Sequence, residues 1–129
     1  MTLKNLGSKT DVLSLLGNDV LASTAVGSAV DIQSYEGSAA FVLTAEAGGS
    51  GITYAIKITE CDTSGGTYTD VDQGGRGAFT TTSANTALVE KIYLNVSELK
   101  QYLKISSVVA GGTGAGAVAV VALASKKYG

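Results

Sequence analysis

Hydrophobic and polar residues alternate with a period of two along most of this chain. In Thr53 to Cys61, Tyr54, Ile56 and Ile58 share one face of an extended segment, while Ala55, Lys57 and Thr59 share the other. That is the pattern of a half-buried strand, and it predicts that Ile56 and Ile58 are buried. Asp62-Thr63-Ser64-Gly65-Gly66 supplies turn residues before Thr67 to Val71 resumes a β-rich run. The same reading places approximate strands at Ala29 to Tyr35, Ala39 to Glu46, Thr53 to Cys61, Thr67 to Val71, Gly77 to Thr82, Ala87 to Val96, Tyr102 to Val109 and Ala117 to Lys126. Short strands at this spacing, with no convincing long helix between them, predict an all-β fold. The expected architecture is an antiparallel β-sandwich of roughly seven or eight strands, either immunoglobulin-like or jelly-roll.

Residues 1 to 28 lack that alternation. Leu3, Leu6, Val12, Leu13, Leu15 and Leu16 are concentrated there, and Val12, Leu13, Leu15 and Leu16 fit one face of a helix. Ser8-x-x-Asp11 resembles a capping-box start, and Gly17-Asn18 would stop such a helix. A helical turn and an extended arm both fit, so the expected division is an N-terminal arm over 1–28 and a β-sandwich domain over 29–129. Leu3, Leu6, Leu13 and Leu16 are the candidate contact residues of that arm. They either cover one end of the domain's own core or dock on another subunit.

Composition narrows the function. With 129 residues the chain is one domain in length, and 45% apolar against 16% charged residues argues against general disorder. Net charge is −2 and no basic cluster exceeds Lys126-Lys127, which leaves no electrostatic footprint for nucleic acid. The apolar run Ala117 to Ala124 is too short for a membrane-crossing helix, and Met1-Thr2-Leu3-Lys4 does not open a signal peptide. Neither nucleic acid nor membrane is therefore an expected partner.

Cys61 is the only cysteine and histidine is absent. An internal disulfide is impossible, and the usual general base, the usual activator of a Ser or Cys nucleophile and the commonest metal ligand are all missing. No Gly-Lys-Ser or Gly-Lys-Thr occurs, which excludes a P-loop. Gly112-x-Gly114-x-x-Ala117 matches a relaxed dinucleotide fingerprint, but Val118-Ala119-Val120-Val121 continues as a strand, so a hairpin loop is expected there. Asp62, Asp70 and Asp72 lack the register of a calcium loop and are read as turn residues. Glu46, Glu60 and Glu90 fall in predicted strands, where sequence cannot oppose any two as a glycosidase pair. Leu99-Lys100-Gln101-Tyr102 has the look of a tyrosine corner, although Tyr102 packing at a strand end fits as well. No catalytic residue, cofactor or metal site is expected, and the chain is not read as an enzyme.

Several segments taken together resemble a known group. Ile56-Lys57-Ile58-Thr59-Glu60-Cys61-Asp62, the Gly turn, Tyr68-Thr69-Asp70-Val71, Gly77-Ala78-Phe79-Thr80-Thr81 and Leu99-Lys100-Gln101-Tyr102-Leu103-Lys104-Ile105 are similar to stretches of the head decoration, or cement, proteins of tailed bacteriophages. Ala29-Val30-Asp31-Ile32-x-x-Tyr35-x-Gly37 fits upstream. The likeness covers roughly 29 to 126 and departs at Cys61, where a small polar residue is usual, and at Tyr68, where Trp is frequent. The first 28 residues carry no comparable resemblance.

That resemblance implies a phage virion structural protein on the outer surface of the head, made in the host cytoplasm. It would bind the assembled icosahedral shell and stabilise it by bridging capsomers, with the major capsid protein as partner and a homo-oligomer, a trimer, as the assembly. The alternative is a carbohydrate- or cell-surface-binding β-sandwich module, which would need a metal in the loops or an exposed aromatic cluster, with several of the dispersed Tyr35, Phe41, Tyr54, Tyr68, Phe79, Tyr93 and Tyr102 gathered on one face.

Overall fold

In the computed structural model the described residues are 10–21, 25–26, 28–45, 53–79, 82–83, 88–110 and 116–127. They form two antiparallel sheets packed face to face. The first sheet has four strands in the order β1 (Thr10–Leu21), β10 (Gly116–Lys126), β4 (Tyr35–Ala45) and β8 (Leu88–Asn95). The second is centred on β9 (Tyr102–Ala110) and β5 (Thr53–Cys61), which pair along their whole lengths. Two short strands, β2 (Ala25–Val26) and β3 (Val30–Asp31), line up along the free side of β9. Two more, β6 (Thr69–Asp70) and β7 (Thr82–Ser83), line up along the free side of β5.

Each pair of short strands acts as one interrupted edge. Between β6 and β7 the chain stays bonded to β5 through Val71 N to Ile58 O, Ile58 N to Gly77 O and Phe79 N to Ile56 O. Residues 72–76 leave as a loop and return. Counted this way each sheet is four strands wide. The chain passes from one sheet to the other between β1 and β2, β3 and β4, β4 and β5, β7 and β8, β8 and β9, and β9 and β10. Of the two sandwich types compatible with the sequence, this order is the jelly roll, a double Greek key.

The alternation read along β5 holds, with Ile56 and Ile58 at 2% and 0% exposure. The inner faces of the two sheets supply one core: Phe41, Leu43, Leu94, Val118 and Val120 from the first, and Ile56, Ile58, Leu103 and Ile105 from the second. Truncating one such side chain is expected to cost about 2–5 kcal/mol, from lost transfer energy plus the cavity left behind.

The strands read at Ala29 to Tyr35 and Gly77 to Thr82 are shorter in the structure, and three larger departures stand out. Residues 10–21 are not a helical turn; they are extended, the other conformation that fits the sequence, and they pair with β10 as an edge strand of the sandwich. Their alternation is hidden by a bulge. Ser14 lies opposite Val121 and Leu16 opposite Val120, so Leu15 is an extra residue and both leucines turn inward. A second irregularity follows between Leu16 and Asp19. The boundary drawn at residue 28 therefore does not separate this segment from the sheets.

The link between β9 and β10 is not a hairpin within one sheet, because those strands lie in different sheets; residues 111–115 are outside the described set. Nor does Tyr102 form a corner: its hydroxyl meets Gln101 Nε2 at 3.4 Å. The connection before β9 is held instead by Glu60, whose Oε1 accepts from Lys100 N at 2.9 Å, and by Ile32 N donating to Gln101 O at 2.9 Å. At the opposite edge of the sandwich, Gln73 reaches from the 72–76 loop to β8. Its amide accepts from Asn95 N at 2.8 Å and donates to Asn95 O at 3.0 Å.

Candidate interaction face

The chemistry-bearing residues are scattered and mostly occupied. Glu60 lies near the Cys61 end of β5 and holds Lys100 N, whereas Glu90 lies on the other sheet opposite Leu43, and Glu46 is outside the described residues. They do not form a facing pair. Asp70 is paired with Lys57 Nζ at 2.9 Å, Asp72 accepts from Gly75 N at 3.4 Å, and Asp62 is exposed in the hairpin after β5. Among the described residues, no group of three His, Cys, Asp or Glu side chains is placed to hold a metal ion. Cys61 is buried beneath that hairpin, where a Cβ at Gly66 would collide with its Sγ.

One open cavity of about 340 Å³ lies at the end of the sandwich, with Ile32, Tyr35, Val96 and Leu99 as its apolar wall and Glu36, Lys100, Gln101 and Lys127 among its polar groups. Its lining includes one carboxylate and no nucleophile with an adjacent base. Nearby, Tyr35 donates its hydroxyl to Asp11 Oδ2 at 2.8 Å, and Lys126 Nζ stands 3.2 Å from Asp11 Oδ1. The Tyr35 hydrogen bond, then Lys126, holds the Asp11 carboxyl below its ordinary 3.8, against some desolvation. The same bond to Asp11 raises Tyr35 above its ordinary 10.0. This group ties together β1, β4 and β10, and it is a structural clasp.

The larger departure from a water-facing protein lies on the outside of the first sheet. Residues pointing away from the core there fall into cross-strand rows set by the register. One row is Val12, Leu123, Ala40 and Tyr93, reading from β1 across β10 and β4 to β8. The next is Ser14, Val121, Val42 and Lys91, and beyond it Ala119 and Thr44 lead to Val89. Val12, Leu123, Tyr93 and Val89 are 64%, 40%, 51% and 75% exposed. A solvated sheet face is ordinarily polar, and a contiguous apolar patch with nothing over it marks an interaction surface.

The outer face of the second sheet is the opposite. Lys57 is bonded to Asp70, Thr59 Oγ1 donates to Lys104 O at 2.9 Å, and Lys104 Nζ lies 4.6 Å from the centre of the Tyr68 ring. Gln101 Nε2 bonds Asp31 Oδ2 at 3.3 Å and Gln33 Oε1 at 3.2 Å. Tyr68 donates to Ser64 O at 2.8 Å, and its hydroxyl is raised above 10.0 by desolvation first and then by Cys61 and Tyr102. Among the described side chains the tyrosines are therefore divided, Tyr68 and Tyr102 on this face, Tyr93 on the other and Tyr35 at one end, while Phe41 and Phe79 are buried in the core.

Of the contact residues expected from sequence, Leu16 is buried in the chain's own core and Leu13 packs against that core. Leu3 and Leu6 lie outside the described residues. The exposed apolar residues of this face are instead Val12, Val89, Tyr93 and Leu123, with half-buried Val42 and Val121 between them. Their signal in the sequence is the run from Ala117 to Ala124, which is apolar at both odd and even positions. A strand apolar on both faces expects cover on both.

No family model matches the sequence, and neither does any curated protein. Solved structures do share the fold. The SPBc2 prophage-derived protein YomS superposes with a TM-score of 0.52 at 13% identity, over 89% of this chain and 91% of that one. A structure of infectious bursal disease virus, Gt strain, gives 0.58 at 13% identity over 92% of this chain. The Gx strain gives 0.57 at 14% identity over 93%. This chain spans 33% and 32% of those two viral chains. At such identities the likeness is one of fold.

Proposed function

We propose that this protein is a structural component of a virus particle, a decoration protein on the outer surface of a phage head. The observation that carries the reading is the uncovered apolar face on a jelly roll whose residues are otherwise engaged in holding the fold together. A surface of that kind serves assembly. Two further points support it: the fold is shared, almost end to end, with a prophage-derived protein, and it recurs within chains from a virus. The segments similar to phage cement proteins point the same way.

In this reading the partner is the major capsid protein, and the protein acts as a homo-oligomer that engages the assembled shell. Each bound copy adds contacts that must break before the shell opens. Because it binds the closed lattice and not the dispersed subunits, it shifts the equilibrium by mass action, about 2.7 kcal/mol per site at a hundredfold excess over Kd. No catalytic step, cofactor or nucleic acid takes part.

The test is mass spectrometry of density-purified particles released from cells that carry the gene, alongside particles from a deletion strain. The protein is expected in the first at a copy number comparable to a capsid component, and the second should release their contents at lower temperature. Its absence from purified particles would overturn the reading.

A further inference from the structure

We propose that the open cavity at the end of the sandwich is a docking site for an acidic polypeptide segment, with one apolar side chain of the segment in the cavity and carboxylates beside it meeting Lys100 and Lys127. The site is separate from the apolar face of the β1-β10-β4-β8 sheet, and it stands independently of the virion reading.

The walls of the cavity come from the turn between β3 and β4, the start of β4, the 3-10 turn Val96–Glu98, the segment 99–101 that leads into β9, and Lys127 after β10. Main-chain bonds fix each of them. Ile32 N donates to Gln101 O at 2.9 Å, Tyr35 N to Ile32 O at 3.1 Å, Leu99 N to Val96 O at 3.0 Å and Lys127 N to Ser34 O at 2.9 Å. Ile32 and Val96 belong to the core, while Tyr35 and Leu99 pack against it and stay half-buried. An apolar wall is thereby held open to water.

Charge names the occupant. Among the described basic side chains, Lys57 and Lys126 are paired with Asp70 and Asp11, Lys91 and Lys104 lie over the rings of Tyr93 and Tyr68, and Arg76 Nε donates to Gln73 O. Lys100 and Lys127 are left without a side-chain partner, and both line this cavity. Against them stands the single carboxylate of Glu36, so the rim is positive in a chain whose formal net charge is −2. A carboxylate-bearing ligand is attracted there and a basic one is repelled.

Polar groups on the rim favour a polypeptide over a free hydrocarbon acid. Gln101 Nε2 bonds Asp31 and Gln33, which leaves Gln101 Oε1 to accept and Gln33 Nε2 to donate, the two functions that a peptide group needs. At about 340 Å³ the cavity is at the small end for a ligand site. It takes one large apolar side chain as an anchor, and the flanking residues lie across the rim. An anchor of that size and a rim screened by salt make a weak contact, with Kd on the order of 0.1–1 mM for an isolated peptide.

The experiment is an amide NMR titration of the full chain with the peptide acetyl-Asp-Glu-Leu-Asp-Glu-amide. Saturable shifts are expected at Ile32, Leu99, Lys100, Gln101 and Lys127. Replacing the peptide's Leu by Ser, or its acidic residues by Lys, should weaken binding by about tenfold or more. Lys100→Glu together with Lys127→Glu should exchange the preference, so that the basic peptide binds and the acidic one does not. Lys127→Glu alone, beyond the last strand, should move both affinities in the same direction if the double variant fails to fold. Octanoate separates the two sources of a carboxylate and should bind more weakly than the acidic peptide. No saturable shift, equal binding of the acidic and basic peptides, indifference to the peptide's Leu, shifts gathered at Val89, Tyr93 and Leu123 in place of the cavity, a preference unmoved by the lysine changes, or tighter binding of octanoate overturns the proposal. A chain missing from particles would sink the virion role and leave this site intact; a particle-bound chain whose cavity does not respond would do the reverse.

Discussion

On the outside of the β1-β10-β4-β8 sheet, Val12, Leu123, Ala40 and Tyr93 form an apolar row across all four strands. On the outside of the other sheet Val108 is the one large apolar side chain exposed among the described residues, and Lys57, Thr59, Lys104 and the neighbouring Gln101 are each engaged within the chain. The inner faces do not differ in this way. Both are apolar and tightly buried, because the shared core demands it. Outer positions are free of that demand, and what they carry reflects what each sheet meets outside the molecule. One is finished against water, whereas the other is built like a second inner face.

The largest effect expected is on the core that both sheets share. Ile58→Ala should lower unfolding free energy by about 2–5 kcal/mol in a denaturant titration. Leu123→Ala, on the apolar outer face, should change the stability of the monomer by less than about 0.5 kcal/mol, as surface substitutions usually do. If Leu123→Ala destabilised a dilute monomer as Ile58→Ala does, the outer face would be covered by the chain itself, and the contrast between the two faces would fail.

Next in size is the tie between the sheets at the β8 edge. Gln73→Ala removes two hydrogen bonds to the Asn95 backbone and should cost about 1–3 kcal/mol, since Asn95 N and O lose partners at a partly buried site. Hydrogen exchange should then rise at Asn95 and in the 72–76 loop before it rises in β5. Uniform exchange across both sheets would show that this edge is not held independently.

Much of the inner architecture was legible in sequence, and the outer was not. Thr53 to Cys61 was bounded correctly because its period-two pattern is clean and Gly65-Gly66 closes it. β1 was missed because the bulge at Leu15 places Leu15 and Leu16 on the same side, which resembles a helical face more than a strand. The jelly-roll order was not readable either, since alternation says which residues face inward but not which sheet they face from. The apolar outer face was visible as the run Ala117 to Ala124, but only the pairing register shows that Val121 and Leu123 join Val42, Ala40 and Val12.

The clasp at the end of the first sheet should respond to pH at both extremes. Asp11 is held below 3.8, so its contribution is present above that value and fades as pH falls through the lower folded one. Tyr35 is raised above 10.0, so the neutral hydroxyl's contribution is present below that value and is lost as pH rises through the higher folded one. Tyr35→Phe should lower the melting temperature near neutrality, and the gap from the parent should close in strong acid and strong base. A gap that is constant with pH would assign the loss to packing and remove the hydrogen bond from the account.

The smallest effect should come from the polar outer face, and it tests the comparison most directly. Lys57 and Asp70 are 40% and 64% exposed in their side chains while their charged atoms stand 2.9 Å apart. A pair so open to water pays for its attraction in side-chain order and is screened by salt, so a double-mutant cycle with Lys57→Ala and Asp70→Ala should return about 0.2–1 kcal/mol, declining toward zero at high salt. This is the signature of a face that water covers. A coupling well above that range and insensitive to salt would mean that another molecule excludes water from the pair. The second sheet would then also be an interface, and the division into one finished and one unfinished face would have to be given up.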